Sequence, residues 1–243
     1  MTQPRRGVRI ALSPARKMVL ELLHHACKVP SLPLSRVVNV ATLVDARHCV
    51  QRPPSWMAVF MRAYALTAGR HSELRRAFLP WPRPHFYEHP ETSCALLVER
   101  EWQGEQVVLG ARIRTPEHRT LGELDDQLRY FRETPILDVN YFRQILRLGR
   151  LPGFIRRFTF WHSLYLSGFA RAKRFGTFMI SSLGNLGVEQ HHPLTPLTTY
   201  FTFGPISPSG DVTLKIVYDH RVLDGRCVAR CLQTLEEVLQ TRL

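Results

Sequence analysis

The feature that most constrains this chain is the run Lys215 to Gly225, K-I-V-Y-D-H-R-V-L-D-G. Val212, Leu214, Ile216 and Tyr218 alternate with Thr213, Lys215 and Val217, the period-two pattern of a pleated strand. The alternation stops at Asp219-His220-Arg221, and Asp224-Gly225 turns the chain into a helical pattern. A histidine that ends a strand, with a carboxylate four residues on, is held at a sheet edge by a rigid element, a suitable mount for a general base. The plainer reading is a strand-end histidine satisfied by a neighbouring aspartate.

The stretch D-H-R-V-L-D-G resembles the signature that closes the catalytic domain of dihydrolipoyl acyltransferases, the core enzymes of 2-oxo acid dehydrogenase complexes. It also resembles the H-x-x-x-D-G signature of the wider chloramphenicol acetyltransferase-like superfamily. Two further segments follow suit. Gly176-Thr177-Phe178-Met179-Ile180-Ser181-Ser182-Leu183-Gly184 is similar to the family's G-G-T-F-T-I-S-N-L-G, and Leu12-Ser13-Pro14-Ala15-Arg16-Lys17 to its L-S-x-x-R-K. The landmarks run in family order across nearly the whole chain.

The resemblance implies an α/β two-layer sandwich, a mostly antiparallel mixed sheet with helices on one face. It implies His220 as general base and Ser181 as donor to the oxyanion of a tetrahedral intermediate, with Ser182 on the opposite face. Asp224 is implied to pair with Arg16, the two holding the loop without transferring protons. It further implies a homotrimer whose active sites lie between subunits, His220 of one facing Ser181 of the next. The substrate would be an acyl thioester, acyl-coenzyme A or acyl-dihydrolipoyl, and the acceptor a thiol, hydroxyl or amine. Taken singly, Ser181 also reads as a strand-end turn cap and Arg16 as a solvated first-turn residue.

The sequence departs from the family in several places. Arg75-Arg76 replaces an Asn-Ala step, a change expected to alter what the site admits, and Val107–Ala111 lacks the family's proline. No lipoyl attachment segment, subunit-binding domain or Ala/Pro linker is visible. The chain ends at Leu243 without the tail that joins trimers into a larger core, so the expectation is a stand-alone trimer. A protein of another class, a non-catalytic scaffold or membrane-associated relative keeping the fold, is the alternative reading.

No linker, charge block or repeat divides the 243 residues, which suits one domain over 1–243. With 33 Lys+Arg against 20 Asp+Glu the net charge is +13, a field that draws polyanions. The arginines are spread along the chain and no nucleic-acid motif accompanies them, so nucleic acid is not the expected partner. Cys27, Cys49, Cys94, Cys227 and Cys231 show no C-x-x-C spacing, and no signal peptide precedes them, which suits reduced thiols in the cytoplasm. Cys227 and Cys231, four apart on the last helix, read as core packing, and no metal is expected.

Ser13-Pro14 caps a first helix, Thr120-Leu121-Gly122-Glu123 forms a capping box, and Arg36–Val44 reads as a strand. Trp56–Ala68 reads as a helix closed by Gly69, residues 79–90 as a loop, and Cys94–Glu101 with Glu105–Ile113 as a hairpin about Trp102-Gln103-Gly104. His191-His192 reads as loop. The segment 140–175 is atypical: Phe154, Phe158, Trp161, Tyr165 and Phe169 recur at helical spacing among Arg156, Arg157, Arg171, Lys173 and Arg174. Three readings stand side by side: packing on the domain, lining an apolar acyl pocket, or an interfacial helix over 154–174 lying on an anionic membrane surface. A transmembrane span does not fit, because the apolar run is short and broken by His162, Ser163 and Ser167.

Overall fold

In the computed structural model, which describes residues 7–241, the elements follow in the order α1 (Pro14–Ala26), β1 (Ser31–Asn39), α2 (Ala41–His48), α3 (Trp56–Arg70), β2 (Arg76–Leu79), β3 (His85–Glu88), β4 (Ser93–Trp102) and β5 (Glu105–Arg114). Then come α4 (Leu121–Glu133), α5 (Asn140–Arg150), α6 (Gly153–Trp161), α7 (Gly168–Phe175), β6 (Phe178–Ser181), β7 (Thr199–Phe203), β8 (Asp211–Asp219) and α8 (Gly225–Thr241). Six strands form one mixed sheet in the order β1-β8-β7-β6-β4-β5, and β2-β3 is a separate hairpin. Strand β6 runs parallel to both its neighbours, β4 and β7, whereas the pairs β1/β8, β7/β8 and β4/β5 are antiparallel. This is the mixed α/β sheet with packed helices that the resemblance implies.

Alternation along the strands sorts side chains onto two faces. On one, Leu96, Ile180, Phe201, Leu214 and Ile216 join Phe60 and Tyr64 of α3 and Leu232 and Leu235 of α8 in the main core. Aromatic rings tie these layers: Phe60 lies 4.3 Å from Phe203 and Tyr64 5.1 Å from Phe201, centroid to centroid. The Tyr64 hydroxyl donates to Thr199 Oγ1 at 2.7 Å, so the buried phenol keeps a partner. The opposite face carries a smaller cluster of Ala95, Met179, Leu197, Tyr200 and Val217, with Phe175 packed on it.

Segment 140–175 folds as α5, α6, a π-helical turn over His162–Leu166, and α7. Its inward side is Phe160 and Leu164, packed with Met18 of α1 and flanked by Leu148, Tyr165 and Phe175. The stripe read from sequence is split: Tyr165 joins this cluster, whereas Phe154, Phe158 and Phe169 are 75%, 63% and 67% exposed. Close approach of α5 to α1 requires Gly149, where a Cβ would lie 2.3 Å from the Pro14 carbonyl oxygen. Among the described residues no helix is long and apolar enough to cross a membrane.

Three local expectations are corrected. The first strand is Ser31–Asn39, not 36–44, and Ala-Thr-Leu-Val opens α2. Asn39 makes the switch: its amide donates to Asp211 Oδ1 at 2.8 Å and Ser209 O at 3.0 Å, while its Oδ1 accepts from the Ala41 N–H at 3.1 Å. Gly69 lies inside α3, which closes at His71, whose N–H donates to Thr67 O. The region 79–90 contains β3, paired with β2 from Arg76↔Glu88 to Leu79↔His85. The caps at Ser13 and Thr120 and the β4–β5 turn, with positive φ at Gln103 and Gly104, form as expected.

His25 and His89 are buried, and burial is the first cause lowering each pKa to about 4. Both remain neutral in the fold at a pH where the unfolded chain protonates, so they cost nothing above pH ~6.5 and destabilise the fold increasingly as pH falls from there towards 4. Thermal unfolding midpoints measured between pH 7 and 4 should fall more steeply for the wild type than for His25→Phe/His89→Gln.

Candidate active site

His220 follows β8 directly and begins a tight turn into α8. Asp219 makes the turn: its carbonyl accepts from the Val222 and Leu223 N–H groups at 3.0 and 3.1 Å. Its carboxylate, 1% exposed, takes a fork from Arg221, Nε to Oδ1 at 2.9 Å and an NH2 nitrogen to Oδ2 at 2.7 Å. Arg221 in turn lies 4.9 Å over the ring of Phe78 on β2. A carboxylate removed from water needs such a multidentate cation, and the pair fixes both ends of the His220 peptide. The His220 N–H donates to Pro30 O at 3.0 Å, anchoring the turn to the entry of β1.

The His220 ring is half-exposed, and its Nδ1 lies 3.0 Å from Leu223 O. A carbonyl can only accept, so Nδ1 carries the proton and Nε2 presents its lone pair outward. This is the tautomer a general base requires. Asp224 Oδ1 is 3.8 Å from Nδ1, too far for a hydrogen bond, and Asp224 is 89% exposed. Its carbonyl starts α8 by accepting from Val228 N–H.

The implied pairing of Asp224 with Arg16 is not formed within the chain. Among the described residues no ion pair joins them, and Arg16 is exposed in the first turn of α1. The reason is placement: α1 packs on α5 and β5 at one side of the sheet, whereas Asp224 follows β8 next to the other edge. Asp219 and Arg221 take the loop-holding role that sequence reading gave to Asp224 and Arg16. The signal was present in the D-H-R triplet, whose flanking residues carry opposite charges. Arg75 and Arg76 are likewise structural. Arg75 donates to Ala68, His89 and Pro90 carbonyls, and Arg76 Nε to Glu88 Oε2 at 2.9 Å, so both serve the β2–β3 hairpin.

Ser181 ends β6 on the less covered face. Its hydroxyl donates to Gln190 Oε1 at 2.6 Å and accepts from the Tyr200 hydroxyl at 2.9 Å. Burial, the first cause, raises the Tyr200 pKa and keeps the phenol a proton donor. The covering loop is clamped from below by buried Lys215, whose Nζ meets Glu189 Oε1 at 2.6 Å and Gln190 O at 3.1 Å. Ser182 points elsewhere, donating to Phe203 O at 2.7 Å, as the alternation requires. His192 lies in the loop against Ser31, Nε2 to Oγ 2.9 Å.

Register sets the distance between the two chemical groups. Ser181 stands opposite Thr202, and Thr202 opposite Lys215, so His220 lies five residues further along β8 and two strands across. Strand spacing makes this on the order of 15–20 Å, with the two groups at opposite ends of the sheet. One chain therefore cannot bring both to one carbonyl. Among the described residues no cluster of three or more His, Cys, Asp or Glu could hold a metal, and Cys231 belongs to the main core.

No protein-family model matches the chain. No curated protein matches it in sequence. Solved structures do. A probable dihydrolipoamide acetyltransferase from Listeria monocytogenes superposes with a TM-score of 0.68 at 16% identity, over 96% of this chain and 94% of that one. The dihydrolipoamide acetyltransferase of Azotobacter vinelandii gives 0.69 at 16% identity, covering 97% and 92%. It was studied for the roles of a serine, a histidine and, four residues on, an asparagine in its catalytic mechanism. A chloramphenicol acetyltransferase gives 0.54 at 12% identity, covering 94% and 96%. These likenesses establish the fold.

Arg221→Met leaves the Asp219 carboxylate buried without its fork, and breaking a buried pair in this way costs about 3–5 kcal/mol. Chemical denaturation should show that loss, whereas Arg16→Met should change stability by less than about 0.5 kcal/mol, as an exposed site does.

Proposed function

We propose that this protein is an acyltransferase working as a homotrimer, its active sites built between subunits from His220 of one and Ser181 of the next. The carrying observation is the opposed placement of a correctly protonated imidazole and a polarised serine hydroxyl on a sheet of acetyltransferase fold. The serine and the histidine studied in the Azotobacter enzyme, with a carboxamide at the position spaced like Asp224, support the same assignment.

Nε2 of His220 takes a proton from an acceptor thiol, that of coenzyme A or a dihydrolipoyl group, or from a hydroxyl or amine. The nucleophile attacks the carbonyl of an acyl thioester. Ser181 turns its hydroxyl from Gln190 to the oxyanion, with Tyr200 behind it as donor. Collapse breaks the carbon–sulfur bond, and His220 returns its proton to the leaving thiolate. Asp224, 3.8 Å from the proton-bearing Nδ1, adds favourable charge as the imidazolium forms.

A second reading concerns where the protein acts. Between Asp138 and Glu189 there is no acidic residue, while segment 140–175 holds eight Arg and Lys. Exposed Phe154, Phe158 and Phe169 rise from the same helices. Aromatic anchors with cationic flanks fit an anionic membrane surface, and this favours peripheral attachment through 154–174. Sedimentation with phosphatidylglycerol vesicles should carry the wild type down at low salt and leave Phe154→Ser/Phe158→Ser in solution; equal partition of both rejects the contact.

His220→Ala should lower thioester turnover by about 10²–10⁴-fold, and Ser181→Ala by about 10²–10³-fold. Co-assembling these two inactive variants in equal amounts should restore about a quarter of the interfaces by random assortment. No recovery in mixed trimers would reject the shared site.

A further inference from the structure

We infer that the cleft between the helices of segment 140–175 and the second face of the sheet binds a single-chain anionic amphiphile, a fatty carboxylate. The site is separate from the residues assigned to acyl transfer and does not depend on that reading.

The cleft encloses about 470 Å³, within the range of about 300–1,000 Å³ usual for small-molecule sites. Met18, Leu148, Phe160 and Phe175 form its walls, over Gly110 and Met179 of the sheet. Most of the lining is hydrocarbon, so the occupant has an apolar body.

Its polar chemistry is one-sided. Arg112, 9% exposed, lines the cleft from β5. One terminal nitrogen donates to Ala172 O, the other reaches the Tyr141 hydroxyl at 3.4 Å, and the guanidinium stands 5.8 Å from the Tyr141 ring centroid. Its Nε is buried with no acceptor. No ion pair reaches Arg112 among the described residues, and no Asp or Glu lines the cleft. Exposed Lys173 and Arg174 add two more cations to the lining.

An arginine withdrawn from water without a counter-charge is costly, and an unsatisfied N–H adds to the cost. A carboxylate at the end of an apolar chain answers the first of these: brought against the guanidinium, its charge offsets that of the arginine. A neutral lipid of the same length fills the space but leaves the cation uncompensated. One side of the cleft comes from α5, α6 and α7, so segment 140–175 shapes the site.

Calorimetric titration of the full chain with dodecanoate and with dodecanol tests the inference. The wild type and His220→Ala should each take up one dodecanoate per chain. Arg112→Met should weaken that binding at least about ten-fold, as loss of a charged hydrogen bond does, and dodecanol should bind at least about ten-fold more weakly than dodecanoate. Gly110→Leu, whose Cβ would sit 3.5 Å from Ile145 Cδ1, should fill the cleft and abolish uptake. Should Arg112→Met fail to fold, the two ligands and Gly110→Leu decide alone. Absence of dodecanoate binding by folded wild type, equal affinity for the alcohol, or unchanged uptake by Gly110→Leu overturns it.

Discussion

A carboxylate buried at the end of a central strand dictates the geometry around it. Asp219 closes β8 inside the protein, and every donor near it is recruited in answer: the Arg221 fork to its side chain, two backbone N–H groups to its carbonyl. Those bonds draw residues 219–223 into one turn, and the turn puts the Leu223 carbonyl against His220 Nδ1. The orientation of the imidazole, Nδ1 turned to a carbonyl, thus descends from the solvation of a neighbouring aspartate. Arg221 extends the dependence to the β2–β3 hairpin through Phe78, and Arg75 and Arg76 secure that hairpin.

The sheet imposes the second constraint. Because β6 is parallel to β7 and β7 antiparallel to β8, the carboxyl ends of β6 and β8 point in opposite directions. Ser181 and His220 each sit at a carboxyl end. No loop rearrangement of a few ångströms joins them, and the proposed chemistry therefore calls for a neighbouring copy.

Much of this was legible in the sequence because the signals were local. Caps at Ser13 and Thr120, the Gln103-Gly104 turn and the alternation on either side of Ser181 are decided by residues within one turn of each other. What escaped depended on distant partners. Asn39 ends β1 because Ser209 and Asp211 wait on the adjoining strand end. Helical spacing identified the aromatics of 154–169 as one stripe, but spacing has no sign. Which side faces the protein was settled by Met18 of α1, packed with Phe160 and Leu164. The Arg16–Asp224 pair does not form within one chain for the same reason, since α1 lies over β5.

The hydrogen bond from Ser181 to Gln190 has a consequence of its own. In an isolated chain the serine proton is already engaged, and the loop that engages it is fastened by Lys215 to Glu189. On the proposed reading, a newly made chain meets thioesters with half a site and a latched hydroxyl. On that same reading wasteful hydrolysis waits for assembly, and subunit concentration would be the switch that turns the chemistry on.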